Sequence, residues 1–355
     1  MQVNKQKRCA GAGISAPARY DIKLLLLCTG AAKGVGNIMV KEIKQRQDAE
    51  RALRSRRLNR IKANWDLYLM LLIPMVLLLI FSYYPMLGLQ IAFKRYSASG
   101  GIWGSKWVGM AQFRKMVTTP KFLQVFLNTL KISLYMIPVK AVVTMVFALL
   151  LNVVRCRAYK KTVQMITYMP YFISTVIMVG ILSQLLNSRI GLYGNICRMI
   201  GVEAVDLWSK PKYFAHIYVW SGIWQMLGWN AIIYLAALSS VDQELYEAAA
   251  IDGANRVRQL IHIDIPSIMP TFIILFILSV GSMMSIGYEK ILLMQNSLNL
   301  SASEVIGTYS YKVALQSGTD YSYGTAIGLF NSVINLILIV SVNFLSKRLT
   351  ESSLW

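Results

Sequence analysis

The run SSVDQELYEAAAIDGANRVRQLIHIDIPSIMP, residues 239–270, decides the fold through the contrast with its surroundings. It holds five of the chain's 16 acidic residues: Asp242, Glu244, Glu247, Asp252 and Asp264. On either side lie stretches without a charged side chain, 213–241 and 265–288. A bilayer-spanning helix needs about 20 nearly uncharged residues, so the run reads as a polar excursion between two membrane spans. Ser240 and Gln243 have the spacing of a capping box, and Leu245 to Asp252 are mostly good helix formers. Gly253 stands where a helix must stop in a left-handed conformation, which a residue without Cβ adopts at least cost. A second short helix, Asn255–Ile263, is expected to run until Pro266 closes it. The outcome is a helix–Gly–helix elbow over 241–266. Ala248, Ala249 and Ala250 leave its first helix with a face so small that another surface can approach the backbone closely.

Working outward, further charge-free gaps occur at 67–93, 162–188 and 321–346, and another at 132–154 is interrupted only by Lys140. With the two beside the elbow, six spans account for nearly half of the 355 residues. Only 15% of residues are charged and 55% are hydrophobic, against roughly 25% charged in a soluble domain. The expected fold is therefore an all-α polytopic membrane protein with six transmembrane helices, since irregular backbone cannot face lipid. The expected organisation is a first span at 67–93, a loop at 94–122 with Trp103 and Trp107 at headgroup level, and a five-helix core over 123–346.

The net charge of +21 would suggest nucleic acid in a soluble protein; here its distribution gives orientation. With 41–66 inside, Lys and Arg are about twice as dense in the inner segments as in the outer ones, as the positive-inside rule asks. Both termini and the elbow are then cytoplasmic, and the protein is a multi-pass protein of the cell membrane. Residues 41–66 read as a basic helix along the inner surface, and 347–355 as a cytoplasmic tail. Residues 1–40 read as a disordered extension, or as sequence upstream of a true start at Met39.

No GxxxxGK[ST] phosphate loop occurs, so the chain binds no ATP by that route. Cys9, Cys28, Cys156 and Cys197 have no metal-ligand spacing, and His216 and His262 each stand alone. No cofactor or metal site and no catalytic residue is expected. An ion-coupled secondary transporter would be expected to carry carboxylates inside its spans, and the six gaps contain none. A membrane-embedded enzyme would need a catalytic cluster at membrane depth, and neither His has one near it in sequence.

The string Glu247–Ala248–Ala249, then Gly253, then Ile263 and Ile265–Pro266, resembles the EAA…G…I-L-P signature of permease subunits of binding-protein-dependent ABC importers. Ile265 replaces the usual Leu, a swap of equal volume. YMPYF at 168–172, YEKILLMQNSLNLSASEVI at 288–306 and YGTAIGLFNSVINLILIV at 323–340 are similar to the sugar branch, the LplB-type oligosaccharide permeases. The resemblance covers roughly residues 65–355. It implies a type I importer (MetI-like) bundle that pairs with a second permease to move an oligosaccharide or glycan fragment inward. It also implies a cytoplasmic ABC ATPase dimer, which holds ATP and Mg and receives the elbow, and an extracytoplasmic solute-binding protein. Glu247, Ala248, Ala249, Asp252, Gly253, Ile263 and Pro266 would form the coupling surface, with Glu247 facing a basic residue of the ATPase.

Tyr218, Ser221 and Gln225 share a stripe on the fourth span with Trp224 beside it, while Ser282 and Asn331 add polar groups to the fifth and sixth. Hydroxyls, amides and aromatic faces suit a neutral polyol, so these six are candidates for the substrate path. Interhelical hydrogen bonding, worth ~0.6–2 kcal/mol each, is the competing reading. Gly324, Gly328 and Ser332 recur at every fourth position and favour close helix packing. Lys140 would cost ~2.5–3.5 kcal/mol facing lipid and must face protein or water.

Overall fold

The computed structural model describes residues 44–48, 63–316 and 320–350. The expectations for 1–40, for most of the basic segment 41–66 and for the tail beyond Thr350 fall outside the described residues. The chain divides into two units, Met1–Tyr84 and Pro85–Trp355.

In the first unit α1, Trp65–Leu78, is followed by a wide π-helical turn, Leu79–Tyr83. None of the apolar side chains of either segment is buried. Tyr84 N–H bonds the Leu79 carbonyl, five residues back, immediately before Pro85. Opening one turn this way relieves the clash that a proline ring makes with the preceding turn.

The second unit begins with a 3-10 segment, Leu87–Phe93, and a minimal antiparallel ladder in which β1, Lys94–Arg95, pairs with β2, Lys106–Trp107. The remainder is helical. α2 runs over Pro120–Val153, α3 over Arg157–Tyr168, α4 over Thr175–Leu185 and α5 over Pro211–Ser239. Pro120 and Pro211 sit in first turns, where a missing N–H costs nothing. The elbow contributes α6, Gln243–Ile251, and α7, Arg256–Gln259; then come α8, Ile265–Gly281, α9, Tyr288–Met294, α10, Ile306–Tyr311, and α11, Tyr321–Thr350.

Among the described residues, four helical stretches are long and apolar enough to cross a membrane: Trp65–Phe93, Pro120–Val153, Arg256–Gly281 and Tyr321–Arg348. The expected third span is a bent pair, α3 with its 3-10 extension to Phe172 and then α4, turned by 102°. Pro170 sits in that 3-10 turn, and Ser174 caps α4 through its hydroxyl. The fourth expected span, α5, has 29 residues, but Trp224, Gln225, Trp229 and Asn230 lower its apolar character. The architecture agrees with the all-α six-span bundle, with one span broken and one unusually polar.

Two local expectations at the elbow need correction. The cap of α6 is Asp242, whose carboxylate accepts from Glu244 N–H at 3.1 Å. Ser240 instead ends α5 and donates back to the Ala237 carbonyl. Pro266 does not close a helix either, because α7 passes through a π-helical turn, Leu260–Asp264, into α8. Ile265 N–H bonds the Leu260 carbonyl five residues back, the same accommodation that precedes Pro85.

α5 is the central element. Val219 and Ile223 pack with Ile132 of α2 towards one end, and Ala231, Tyr234 and Leu238 pack with Ala148, Leu149 and Ile268 towards the elbow end. A third apolar cluster joins α2 to α11 through Val125, Ile137, Tyr323 and Ile327. Contact is closest where side chains vanish. A Cβ on Gly228 would lie 2.4 Å from the Tyr168 ring, and one on Gly324 would lie 2.5 Å from Ala314 Cβ. Gly328 faces open space, so the small-residue repeat serves close packing at Gly324 and not at Gly328.

Candidate coupling elbow and intramembrane polar residues

The elbow is built by its backbone bonds. Ala254 N–H bonds the Ala249 carbonyl at 2.8 Å and Gly253 N–H bonds the Ala250 carbonyl at 3.1 Å, the paired closure of a Schellman motif. That closure requires Gly253 at φ +74°, a left-handed value. Asn255 then caps α7, its side-chain oxygen accepting from Arg258 N–H at 2.9 Å. Glu247, Ala248 and Asp252 are exposed and Ala249 is half-buried. Ile251 and Val257 stand 86% and 62% exposed at the tip. Ile263 is half-buried and Pro266 exposed, both where the elbow merges with α8.

A tie absent from the sequence reading holds the elbow to the bundle. The Tyr246 hydroxyl of α6 donates to Asp264 Oδ1, which also accepts from Asn152 Nδ2 at 3.3 Å. Asp264 is 4% exposed. Partial burial, and next the bond to Asp264, push the Tyr246 phenol up to about 12. The available signal was a lone carboxylate at the mouth of an apolar span, which needs a donor when buried.

The candidate path residues fall into two groups. Tyr218 and Ser221 are buried inside the chain, and the Ser221 hydroxyl donates to the Ile217 carbonyl. Gln225 Nε2 donates to the Ile173 carbonyl at 3.0 Å and so satisfies an acceptor freed by the break between α3 and α4. Beside it, Tyr171 stacks on Trp229 with ring centroids 4.2 Å apart. Asn331 Nδ2 reaches Ser285 Oγ at 3.3 Å, while Met284 N–H donates to Asn335 at 3.0 Å; both tie α11 to the turn after α8. In contrast Trp224 is exposed and lines a cavity of about 370 Å³ with His216, Trp220 and Leu182. Ser282 lines a second cavity, with Lys140 and Asn230.

The stretch 288–306 forms a knot at the end of the bundle opposite the elbow. Buried Asn299 donates to the Trp208 carbonyl at 3.0 Å and the Met294 carbonyl at 3.1 Å, and accepts from Ser303 at 2.9 Å. Glu304, nearly buried, pairs with Lys121 at 2.5 Å and Lys312 at 3.3 Å.

Comparison with known proteins places this geometry. Residues 119–351 match the family described as binding-protein-dependent transport system inner membrane component. The chain is 39% identical to protein LplB of Bacillus subtilis (strain 168) over 295 residues, 83% of this chain and 92% of that protein. It is 38% identical to the polygalacturonan/rhamnogalacturonan transport system permease protein YteP of the same organism, over 81% of this chain and 90% of that protein. Among solved structures it is similar to a chain of a bacterial alginate ABC transporter in complex with an alginate pentasaccharide-bound periplasmic protein. That match has TM-score 0.76 and 35% identity, and covers 83% of this chain and 99% of the other. With the signature elbow, the membrane-length helices and a match over most of its length, the chain belongs to the inner-membrane permease subunits of binding-protein-dependent ABC importers, sugar branch, in which the ATPase is a separate subunit.

Proposed function

We propose that the chain forms, with a second permease, the inward path for an oligosaccharide, and that the α6–α7 elbow, at the cytoplasmic side, docks in a groove of an ABC ATPase dimer. The observation that carries this is the elbow itself: a left-handed glycine hinge with exposed Glu247, Ala248, Ile251 and Val257 at its tip. Exposed apolar side chains beside a carboxylate on a short rigid helix suit a helix-in-groove contact. ATP and Mg belong to the partner, and a solute-binding protein delivers substrate on the opposite side. The names of the relatives, a polygalacturonan/rhamnogalacturonan permease and an alginate importer, support an oligosaccharide as cargo.

The coupling route follows from the continuity of the helix. Residues Arg256–Gly281 form one 26-residue helical stretch, so a displacement at the elbow passes along a single element to Ser279, about 22 Å from Asp264 at 1.5 Å per residue. The π-helical turn at Leu260–Asp264 supplies a place for that element to flex. The Tyr246–Asp264 bond makes α6 move with it.

The test is uptake by proteoliposomes holding this chain with its companion permease, ATPase and binding protein. Uptake of a labelled oligosaccharide should require ATP inside and vanish with a hydrolysis-dead ATPase. Uptake driven by a proton or sodium gradient without ATP would refute the proposal.

A further inference from the structure

Lys140 lines an open cavity of about 270 Å³ between α2, α5 and α8, with Thr144, Asn230, Tyr234, Ser279 and Ser282 around it. Lys140 lies 12 residues along α2 from Asn152 at the elbow end, about 18 Å, and therefore at mid-membrane rather than headgroup depth. The ion pairs among the described residues are Lys115–Asp320, Lys121–Glu304 and Lys312–Glu304, and none includes Lys140. Asn230 Nδ2, on the same cavity, is buried without a hydrogen-bond partner. The hydroxyls of Ser279 and Ser282 already donate to the Leu275 and Ser279 carbonyls. The lining thus offers the ammonium hydroxyl and amide oxygens but no carboxylate, and beside it lies a buried amide donor without a partner.

A bare ammonium in hydrocarbon is costly, so this space calls for an anion or for water. Lys290, another lysine without an acid partner among the described residues, differs: it donates to the Tyr218 carbonyl at 3.0 Å and lies over the Tyr218 ring. The cavity walls include Ala141, Leu275 and Phe276, which suit the apolar face of a sugar ring. Its mouth is bordered by exposed Ile233, Leu278 and Ser282. One cation with one amide donor matches a monoanion such as a carboxylate, whereas a phosphate dianion is ordinarily met by several cations or an Arg fork.

Resting on the oligosaccharide reading above, we propose that this cavity is a carboxylate subsite of the translocation path, in which Lys140 pairs with a uronate carboxylate and Asn230 donates to it. The cargo is then an acidic oligosaccharide, and Lys140 discriminates it from neutral sugars of the same shape.

The complete transporter in proteoliposomes, offered trigalacturonate or its methyl ester, tests this, because esterification removes each carboxylate charge and adds only a methyl group. The wild type should import the acid faster. Lys140→Met should lower the acid-to-ester uptake ratio about tenfold, the scale of one lost charge-assisted hydrogen bond, and Lys140→Arg should keep most of it. Asn230→Leu, which preserves side-chain bulk, should lower the ratio by a smaller factor and gives a second reading if Lys140→Met assembles poorly. All variants share one binding protein, so a change in the ratio reports the permease. A wild-type ratio in either assembled variant overturns the subsite. Equal wild-type uptake of acid and ester overturns the subsite and leaves the oligosaccharide reading standing. Uptake of neither by the wild type overturns the oligosaccharide reading, and the subsite with it.

Discussion

Tyr246 and Asp264 lie 18 residues apart on opposite sides of the Gly253 hinge, and the phenol of one donates to the buried carboxylate of the other. That bond ties the elbow to the bundle. Removing it with Tyr246→Phe should destabilise the assembled complex by roughly 1.5 kcal/mol, a low value for a bond to a charged group because the tyrosine is partly solvated. Asp264→Leu should cost more, since it strands both the Tyr246 hydroxyl and the Asn152 amide. Thermal unfolding checks the stability, and the ratio of substrate-stimulated to basal ATP hydrolysis checks the coupling. Tyr246→Phe behaving as wild type in both would remove the tie from the mechanism.

The same bond has a pH signature. The Tyr246 phenol is raised from its ordinary 10 to about 12, so the folded state holds its proton more tightly than the unfolded state. A raised value gives stability that is complete below pH 10 and is lost as pH climbs towards 12. The stability difference between wild type and Tyr246→Phe should therefore be flat from neutral pH to about 9 and shrink above 10. A difference that changes between pH 6 and 8 would assign the effect to another group.

At the hinge, a Cβ on Gly253 would meet open space, so the penalty of Gly253→Val begins with backbone strain. At φ +74° that strain is about 1–3 kcal/mol, enough to disturb the elbow without unfolding the bundle. ATPase retention on membranes should fall, and Gly253→Asn should restore part of it because Asn tolerates left-handed backbone. Glu247→Lys should also release the ATPase, by reversing the charge at the tip. Full retention in both Gly253→Val and Glu247→Lys would dissociate the elbow from coupling.

For α5, Gln225→Leu should lower the unfolding temperature by stranding the Ile173 carbonyl, at about 1–3 kcal/mol. Gly228→Ala should act in the same direction, because its methyl would lie 2.4 Å from the Tyr168 ring. Trp224→Ala, half exposed on its cavity, should instead change which oligosaccharides compete for uptake. A Gln225→Leu complex with normal thermal stability and altered selectivity would return Gln225 to the substrate path.

Orientation is tested by chemical access. With the four native cysteines replaced by Ser, a membrane-impermeant maleimide added to intact cells should label Asn195→Cys and Leu298→Cys, and miss Asn255→Cys until the cells are permeabilised. Labelling of Asn255→Cys in intact cells would reverse the topology and detach the elbow from any cytoplasmic partner.

By itself the sequence determined what depends on composition and local chemistry. Charge-free runs near membrane length set the helical bundle, because a buried backbone without water must bond to itself. The need for positive φ between two short helices placed Gly253 at the hinge. The tertiary structure decided what depends on neighbours distant in the chain. Pro266 reads locally as a helix end, yet a π-helical turn absorbs it and the helix continues to Gly281. Gln225 reads locally as one polar group on a helical stripe, and only the 102° break between α3 and α4 brings to it the Ile173 carbonyl that it bonds. Whether Lys140 meets lipid, an acid or an open cavity is fixed by how α2, α5 and α8 pack, which periodicity along one helix does not encode.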